Sequence, residues 1–368
     1  MKILHFAPFL QAGGASQLAV DLAYALQAHE VKSMLLSPVC ELISPLVSTQ
    51  LRHFNYRPYP LPGDMGSVLK LHRIISEQKP DIVQAYGYEA VAIAVRACKK
   101  MPAGKCPRIV AALTGYPTEQ EQQSIQRLSA CAATTVVSKH LRVTLSKLMP
   151  TLEKLWVIPD GVNETLCHPG YAPTEEAREQ WRRMHPELIG RFVVCLPGPI
   201  SAIHGTASIV PIMAALLSQD IPVHTLIAGH TGEADPTYLS NLRRQLRASG
   251  LDAHVTWLGA SADMRDVLCL SDVVLSLHQS PAAYDRPILE ALSLGRPVAG
   301  YDHGAISEYL EAFNPVGALP EGDEDAAADV LSQWHSYPPD LDEAVPYPYR
   351  LSDTAANYYE LYTNLLES

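Results

Sequence analysis

The sequence lacks any hydrophobic run long enough to cross a membrane. Its longest apolar stretch, residues 207–217, falls well short of the roughly 20 residues that a membrane-spanning helix requires, and it contains Pro211. The first residues also lack the pattern of a secretory signal, because His5 and Pro8 interrupt their apolar run and no small-residue cleavage site follows. We therefore expect no membrane-spanning segment, and we interpret the first residues of the chain as a first strand.

Paired cysteines and an excess of positive charge are also missing. The seven cysteines are scattered and never form a C-x-x-C pair, so neither a zinc site nor a disulfide framework is indicated. Only 28 Lys and Arg residues stand against 39 Asp and Glu residues, and this net charge of -11 argues against a nucleic-acid partner. We expect a protein of the reducing cytoplasm with no bound metal or other cofactor.

What the chain does contain is enough apolar material for two domains. Its 368 residues compare with roughly 150 for a usual domain. Hydrophobic residues make up 47% of the sequence and charged residues 18%, which excludes a long disordered chain. Two domains that share one cleft are the simplest expectation.

Short apolar runs alternate with helical patterns along most of the chain, as expected of parallel α/β domains. The pattern stops at a Pro-rich stretch, 169–174, and then restarts. We predict an N-terminal Rossmann-like domain over 1–170, completed by a closing helix at 352–368, and a second Rossmann-like domain over 171–345. The predicted strands are 3–6, 33–36, 82–84, 109–113, 135–137 and 155–158, then 192–196, 225–228, 255–258, 273–277 and 297–300.

One segment carries a specific resemblance. Residues 271–308 read SDVVLSLHQSPAAYDRPILEALSLGRPVAGYDHGAISE, which resembles the donor-site segment of family-four retaining glycosyltransferases, roughly ADVVV…PEAFGRxxxEAMAxGxPVVAxDxGGxxE. Three further stretches resemble the same family in the same order: the Gly13–Gly14 pair, 157–163, and 250–259 followed by 266–272. The resemblance implies the GT-B fold, with two Rossmann-like domains facing each other across a cleft, a nucleotide sugar bound mainly by the second domain and an acceptor bound mainly by the first.

Within this resemblance, Glu290 takes the second acidic position of the family's E-x7-E motif. There its carboxylate is expected to accept hydrogen bonds from the two ribose hydroxyls of the nucleotide. The alternative is a Glu in the first turn of a helix, where the helix dipole favours it. The loop of Tyr284, Asp285 and Arg286 precedes that helix, and both its backbone N–H groups and the Arg286 cation are expected to contact phosphate. Gly13 and Gly14 are expected to offer N–H groups in the same way, or to form only a tight turn.

Several family positions are replaced. The first acidic position is Ala282, and the family's G-R-x5-K-G turn runs from Gly198 to Gly205 with Pro199 and His204 in place of the Arg and Lys. The acceptor-side His is replaced by Thr114, and an H-x-H motif appears as Gln84-Ala85-Tyr86. We expect His204 either to replace the lost diphosphate cation or merely to fill the turn before Gly205.

Four further residues stand at the ends of predicted strands. His278 and His303 are each expected either to contact sugar or phosphate or to be a loop histidine without a role. The Asp-His-Gly stretch around His303 is shared with the family and favours the contact there, whereas the reading without a role is favoured for His278. Asp160 and Asn163 follow the last strand of the first domain, in a loop that the resemblance places beside the cleft. For Asp160 a role in capping the turn is an equal alternative.

Basic residues concentrate in the first domain although the whole chain is acidic. Such a surface is expected to contact anionic lipid at the inner face of a membrane, or else to be an ordinary solvated face. The residues are Arg96, Lys99, Lys100, Lys105 and Arg108, and then Lys139, Arg142 and Lys147.

Two hypotheses for function follow. The first is a metal-independent retaining glycosyltransferase that transfers a sugar from a UDP or GDP sugar to a cell-surface glycan or glycolipid, such as lipopolysaccharide. The second is a non-catalytic GT-B protein that binds nucleotide or glycan, or supports a partner glycosyltransferase. A nicotinamide enzyme is disfavoured, because no G-x-G-x-x-G follows any predicted strand.

Overall fold

The structure, a computed structural model, describes residues 1–8, 14–38, 51–57, 65–102, 104–229, 236–259, 264–341 and 345–368. Its internal contacts divide the chain into two units. Unit 1 contains Met1–Asn163 together with Tyr347–Ser368, and unit 2 contains Glu164–Pro346.

Both units alternate strands with helices. The strands are β1 Lys2–Phe6, β2 Lys32–Ser37, β3 Arg52–Asn55, β4 Ile82–Tyr86, β5 Arg108–Leu113, β6 Ala133–Val136, β7 Leu155–Val157, β8 Phe192–Pro197, β9 Val223–Ala228, β10 Val255–Trp257, β11 Val273–Ser276, β12 Val298–Tyr301 and β13 Ala318–Leu319. The helices are α1 Gly14–Ala25, α2 Met65–Gln78, α3 Tyr88–Cys98, α4 Gln122–Ile125, α5 Lys139–Leu148, α6 Glu175–Met184, α7 Ile209–Ser218, α8 Pro236–Ala248, α9 Met264–Cys269, α10 Arg286–Ser293, α11 Gly304–Phe313, α12 Glu324–Ser336 and α13 Leu351–Glu367.

Each unit contains one parallel, doubly wound sheet. In unit 1 the strand order is β3-β2-β1-β4-β5-β6-β7, and in unit 2 it is β10-β9-β8-β11-β12-β13. Central strands such as β4 and β9 are almost entirely buried, as expected when helices cover both faces of a parallel sheet. This confirms the predicted fold class of two Rossmann-like α/β domains.

The closing helix α13 belongs to unit 1 and is joined to it by buried polar contacts. The Thr354 hydroxyl donates to the Pro159 carbonyl at 2.8 Å and accepts from the Gly161 N–H at 2.9 Å. Gly161 has no room for a side chain, because a Cβ there would lie 2.2 Å from the Arg350 carbonyl oxygen. The start of α13 and the segment after β7 therefore pack backbone against backbone.

The border between the units differs from the predicted linker at 169–174. The chain passes into unit 2 at Glu164, and Tyr171 is already anchored there by a hydrogen bond of 2.6 Å from its hydroxyl to Asp266 Oδ1. Pro169 also packs against Gly295, at 3.2 Å from where a Cβ would stand. These contacts attach the proline-containing stretch to unit 2 instead of leaving it as a free connection. Among the described helices, none combines the length and apolar character needed to span a bilayer.

Candidate functional site

The strand order of unit 2 indicates where the candidate site lies. The order reverses between the adjacent strands β8 and β11, and ligands of doubly wound sheets bind beyond the carboxyl ends of the strands at such a point. Two loops leave the sheet here: the turn from Gly198 to Gly205 after β8, and residues 277–285 after β11. The segment with the family resemblance therefore lies at the topological switch point.

The turn after β8 requires glycine at both of its ends. Gly198 has a φ of 110° and Gly205 a φ of 65°, values that other residues rarely adopt. A Cβ on Gly205 would also stand 1.7 Å from the Leu277 carbonyl oxygen, so no side chain fits between this turn and the loop after β11. The Gln279 N–H donates to the Ile203 carbonyl at 2.8 Å. The two loops thus form one packed layer.

Two histidines meet in this layer. The rings of His204 and His278 lie 4.7 Å apart between centroids, and His204 Nδ1 lies 2.7 Å from the Ser201 hydroxyl. Burial is the main cause, and the neighbouring His278 a further cause, of a lowering of the His204 pKa to about 4, which Asp285 opposes. His204 is therefore neutral at pH 7 when the site is empty.

Asp285 connects the second histidine to a helix. Its Oδ2 lies 2.9 Å from His278 Nε2, and its Oδ1 accepts a long hydrogen bond of 3.4 Å from the Ile288 N–H at the start of α10. Both side chains are largely buried, at 13% and 12% exposure for His278 and Asp285. One carboxylate thus caps α10 and fixes the His278 ring, a role that the sequence did not indicate for either residue.

Glu290 lies on α10 beside the other predicted cation. Arg286 Nε donates to Glu290 Oε1 at 2.7 Å, and the two side chains are only 11% and 16% exposed. Because α10 begins at Arg286, Glu290 falls in the second turn and not in the first, which removes the helix-dipole alternative. An ionised carboxylate retains further acceptor positions after one hydrogen bond, so Glu290 still has capacity for hydroxyl donors.

The remaining predicted residues of unit 2 lie close by. His303 is the N-cap residue of α11, and its Nε2 lies 2.9 Å from the His278 carbonyl oxygen, so it holds the loop after β11 in place. The next residue, Gly304, packs against Ala282, whose carbonyl accepts from the Ala305 N–H at 2.8 Å. Tyr284 is half-buried just ahead of α10.

In unit 1, the predicted residues are placed as follows. Asp160 is buried in the segment after β7, and Asn163 is half-buried at the end of that segment. Gly14 is the first residue of α1, whereas Gly13 lies outside the described residues.

In unit 1, Gln84 and Tyr86, which replace the two histidines of the family's H-x-H motif, belong to a network of polar side chains. His5 Nδ1 lies 2.8 Å from the Tyr86 hydroxyl, which also accepts from Gln84 Nε2 at 3.3 Å. Tyr362 on α13 donates to Gln84 Oε1, and burial lowers the pKa of His5 to about 3. Gln84 therefore anchors the closing helix, and Tyr86 joins Gln84 to His5.

A second polar pair lies at the ends of β5 and β6. The Tyr116 hydroxyl lies 2.5 Å from His140 Nδ1, and the nearby Tyr88 hydroxyl donates to the Gly115 carbonyl at 3.1 Å. Both members of the Tyr116–His140 pair are half-buried. Sequence reasoning missed this pair, because the two residues lie 24 positions apart and match no motif.

The eight basic residues expected to contact anionic lipid occupy exposed positions, apart from the half-buried Arg96. On α5 they accompany the exposed side chains of Val143 and Leu148, and the adjacent strand β7 carries Trp156, which is 53% exposed. Within the described ranges, no group of three His, Cys, Asp or Glu side chains has a metal-binding arrangement.

Comparisons with known proteins agree with this architecture. Residues 12–166 match the family model described as Glycosyltransferase Family 4, and residues 191–336 match the model described as Glycosyl transferases group 1. The first match lies in unit 1 except for its last three residues, and the second lies within unit 2. No curated protein matches the sequence.

Solved structures with this fold include several glycosyltransferases. A complex of Alr3699/HepE from Anabaena with UDP and glucose has a TM-score of 0.83 at 16% identity, covering 99% of this chain and 100% of that chain. A glycosyltransferase from Rickettsia africae has a TM-score of 0.81 at 17% identity, covering 100% and 99%. The apo lipopolysaccharide outer core galactosyltransferase WaaB has a TM-score of 0.65 at 14% identity, covering 100% and 98%.

Proposed function

Because the chain belongs to the glycosyltransferases of the GT-B fold, we propose that it is a retaining enzyme that uses a nucleoside-diphosphate sugar. The observation that carries the proposal is the position of Glu290. Its carboxylate is fixed by Arg286 on α10, directly behind the loop at the switch point of unit 2. A partly buried carboxylate with unused acceptor positions suits the ribose hydroxyls of a bound nucleotide.

The diphosphate of the donor would lie at the two packed loops. The proposed contacts are the backbone N–H groups that begin α10, together with His204 and the glycine-bordered turn after β8. His303 supports this layer through the His278 carbonyl. In unit 1, Gly13, Gly14, Asp160 and Asn163 remain proposed ligands of the diphosphate or the acceptor.

Retention of configuration needs no protein base in this mechanism. The acceptor hydroxyl attacks the anomeric carbon from the face that the nucleotide leaves, a bond forms from the acceptor oxygen to that carbon, and the bond to the phosphate oxygen breaks. The departing phosphate oxygen keeps the electron pair and takes the proton of the acceptor hydroxyl. Positioning and stabilisation of the diphosphate charge are then the main tasks of the chain. No metal or other cofactor is proposed.

We place the acceptor on unit 1, and the Tyr116–His140 pair is the proposed contact for its hydroxyl groups. The proposed acceptor is a cell-surface glycan or glycolipid of the lipopolysaccharide type, and the likeness in fold to WaaB supports this choice. A glycolipid acceptor would require a cytoplasmic enzyme at the inner face of the membrane. The basic residues of α5, with Trp156 beside them, suit such a surface.

A second candidate function rests on the replaced residues. Pro199 cannot supply a cation, Ala282 cannot accept a hydrogen bond from a sugar hydroxyl, and Thr114 replaces the acceptor-side His. Loss of two charged contacts to the leaving group can lower a rate by several powers of ten. A chain that binds nucleotide or glycan without transfer, or supports a partner glycosyltransferase, would keep Glu290 and lose these groups.

Binding and transfer must be measured separately to test the proposal. Thermal shifts with UDP, GDP and a panel of nucleotide sugars identify the donor, since a ligand that binds only the folded state raises the melting temperature. Transfer from the selected donor to extracted glycolipid, followed by determination of the anomeric configuration, tests the retaining activity. Binding without transfer would support the second candidate. Absence of binding by every nucleotide would contradict the proposed enzyme and leave only the glycan-binding or partner-supporting forms of the second candidate.

A further inference from the structure

The contact between His204 and His278 is held in place by the packing of the two loops that carry them. His204 lies on the turn after β8 and His278 on the loop after β11, and the hydrogen bond between Gln279 and Ile203 joins the two loops. Gly205 allows the loops to touch because it has no side chain. The ring pair therefore depends on backbone packing, not on two flexible surface side chains.

The two rings differ in their partners. His278 has a carboxylate, Asp285 Oδ2, at 2.9 Å from its Nε2. His204 has a hydroxyl, Ser201, at 2.7 Å from its Nδ1, and its second nitrogen is not needed for that contact. Asp285 thus holds the His278 ring through a negative charge, and Ser201 holds the His204 ring through a neutral hydroxyl.

The titratable groups around the pair lie on the loops after β11 and β12 and on α10. Burial is the main cause of the lowered His204 pKa, His278 adds to the lowering, and Asp285 opposes it. His303, from the loop after β12, contacts the backbone of His278, and Arg286 is engaged with Glu290. Two adjacent imidazoles repel each other when both are charged, and an anion between or beside them removes that repulsion.

We propose that His204 and His278 form a paired-imidazole site for the diphosphate of the donor, which takes up a proton from solvent when the diphosphate binds. Asp285 is the positioning residue that orients His278 and stabilises positive charge on the pair. This inference rests on the proposed function, because it assigns the anion at that same site. It also explains how a chain without the Arg and Lys of the family's turn could hold a diphosphate.

The sign of the expected pH dependence follows from the bound state. Negative charge raises the pKa of a neighbouring imidazole, so the bound form holds a proton that the empty form lacks near neutral pH. Affinity should therefore fall as pH rises, approaching tenfold per pH unit while one proton is taken up, until the pKa of the bound state is passed. A fixed Lys or Arg would give no such slope.

The test is calorimetric titration of UDP, GDP and pyrophosphate into the full chain in buffers of different ionisation enthalpy. The dependence of the observed enthalpy on the buffer gives the number of protons taken up. We expect close to one proton for the wild type and clearly fewer for both His204→Gln and His278→Gln. The phosphate group itself titrates near a pH of about 6, so comparison with the variants isolates the contribution of the rings.

Three further variants make the test specific. His204→Lys should bind UDP with only the pH dependence and proton uptake that titration of the phosphate itself produces. Asp285→Asn keeps a residue that can cap α10 but loses the charge, so proton uptake should move to lower pH. His335→Gln, an exposed residue at the end of α12, should behave as the wild type.

The outcomes separate this inference from the proposed function. UDP or GDP binding with no proton uptake, or with equal uptake in wild type, His204→Gln and His278→Gln, overturns the inference and leaves the proposed glycosyltransferase standing. Wild-type protein that binds no nucleotide contradicts both. If a variant unfolds, the nitrogen-15 shifts of the two imidazole rings in the wild type, with and without UDP, decide the question. Rings that do not change protonation on binding overturn the proposal.

Discussion

Arg286 Nε donates to Glu290 Oε1 at 2.7 Å across four residues of α10, and both side chains are largely buried. The pair keeps the carboxylate in a defined position without using all of its acceptor capacity. This contact uses only Nε of the Arg286 guanidinium, which carries further N–H donors, so the contact of Arg286 with phosphate stays a prediction. Replacement of Glu290 would therefore disturb two proposed donor contacts.

We expect Glu290→Gln to weaken binding of UDP or GDP by about 1–3 kcal/mol, because ribose hydroxyls lose a charged acceptor. Calorimetry at neutral pH measures the change, and Glu311→Gln on the exposed face of α11 is the control. The melting temperature should fall as well, since Arg286 loses its partner. A lower melting temperature with unchanged affinity per folded molecule would leave Glu290 with a structural role only.

Much of the fold could be predicted from the sequence, because buried parallel strands appear as short apolar runs between helices. All eleven predicted strands overlap observed ones. The strands β3 and β13 were missed, and both lie at the edges of their sheets. Arg52–Asn55 is mostly polar and Ala318–Leu319 has only two residues, so neither produces an apolar run.

The candidate site was less predictable, for a physical reason. Motif spacing located Glu290 and the turn from Gly198 to Gly205, because these features are local in sequence. The contact of His204 with His278 joins two loops more than seventy positions apart, and only the adjacency of β8 and β11 brings them together. The interpretation of His278 as a loop histidine without a role does not account for its contacts with His204 and Asp285.

The contact between the two loops can be tested at Gly205. We expect Gly205→Ala to destabilise unit 2 strongly, because a methyl group would collide with the Leu277 carbonyl in addition to straining a positive φ. Gly250→Ala is a matched control, with a similar φ of 69° but open space around the new methyl group. It should cost only about 1–2 kcal/mol from backbone strain. Urea unfolding of both variants measures the difference, and equal losses would show that the loops can separate at little cost.

The basic residues of α5 lead to a prediction about binding to anionic membranes. We expect a variant with Lys139, Arg142 and Lys147 replaced by Glu to bind phosphatidylglycerol-rich vesicles on the order of a hundredfold more weakly, since each basic residue contributes about 1 kcal/mol near anionic lipid. Replacement of Lys99, Lys100 and Lys105 tests the second basic cluster in the same way. Sedimentation with vesicles measures the bound fraction.

Two controls accompany the vesicle assay. Reversal of Arg178, Arg182 and Arg183 on α6 of unit 2 changes the charge by the same amount at a different surface. If it releases the protein equally, net charge and not this surface governs the attachment. Trp156→Ser should weaken the part of the binding that persists in high salt, because salt screens the charges but not the burial of an aromatic ring.

The buried histidine of unit 1 should make its stability sensitive to acid. Burial lowers the pKa of His5 to about 3, against about 6.5 in an unfolded chain. Above pH 6.5 neither state is protonated, so His5 has no pH-dependent effect. As pH falls below 6.5, His5 becomes protonated in the unfolded chain but stays neutral in the folded chain. The free energy of unfolding therefore decreases until the pH approaches the pKa of His5 in the folded chain. At pH 5 the loss due to His5 should be about 2 kcal/mol.

Hydrogen exchange resolved by peptide can assign this loss to its unit. We expect protection of the β1 and β4 peptides to fall between pH 7 and pH 5, after correction for the intrinsic exchange rate, and to fall less in His5→Gln. Burial also lowers the pKa of His53 on β3, so a smaller loss of protection with falling pH should remain in His5→Gln.

His224→Gln is the control in the other unit, because His224 lies on β9 of unit 2 with its pKa lowered by burial to about 4. It should relieve acid sensitivity of the β9 peptide and leave β1 unchanged. If His5→Gln retains the full wild-type slope at β1 and β4, protonation of His5 is not what destabilises unit 1 in acid.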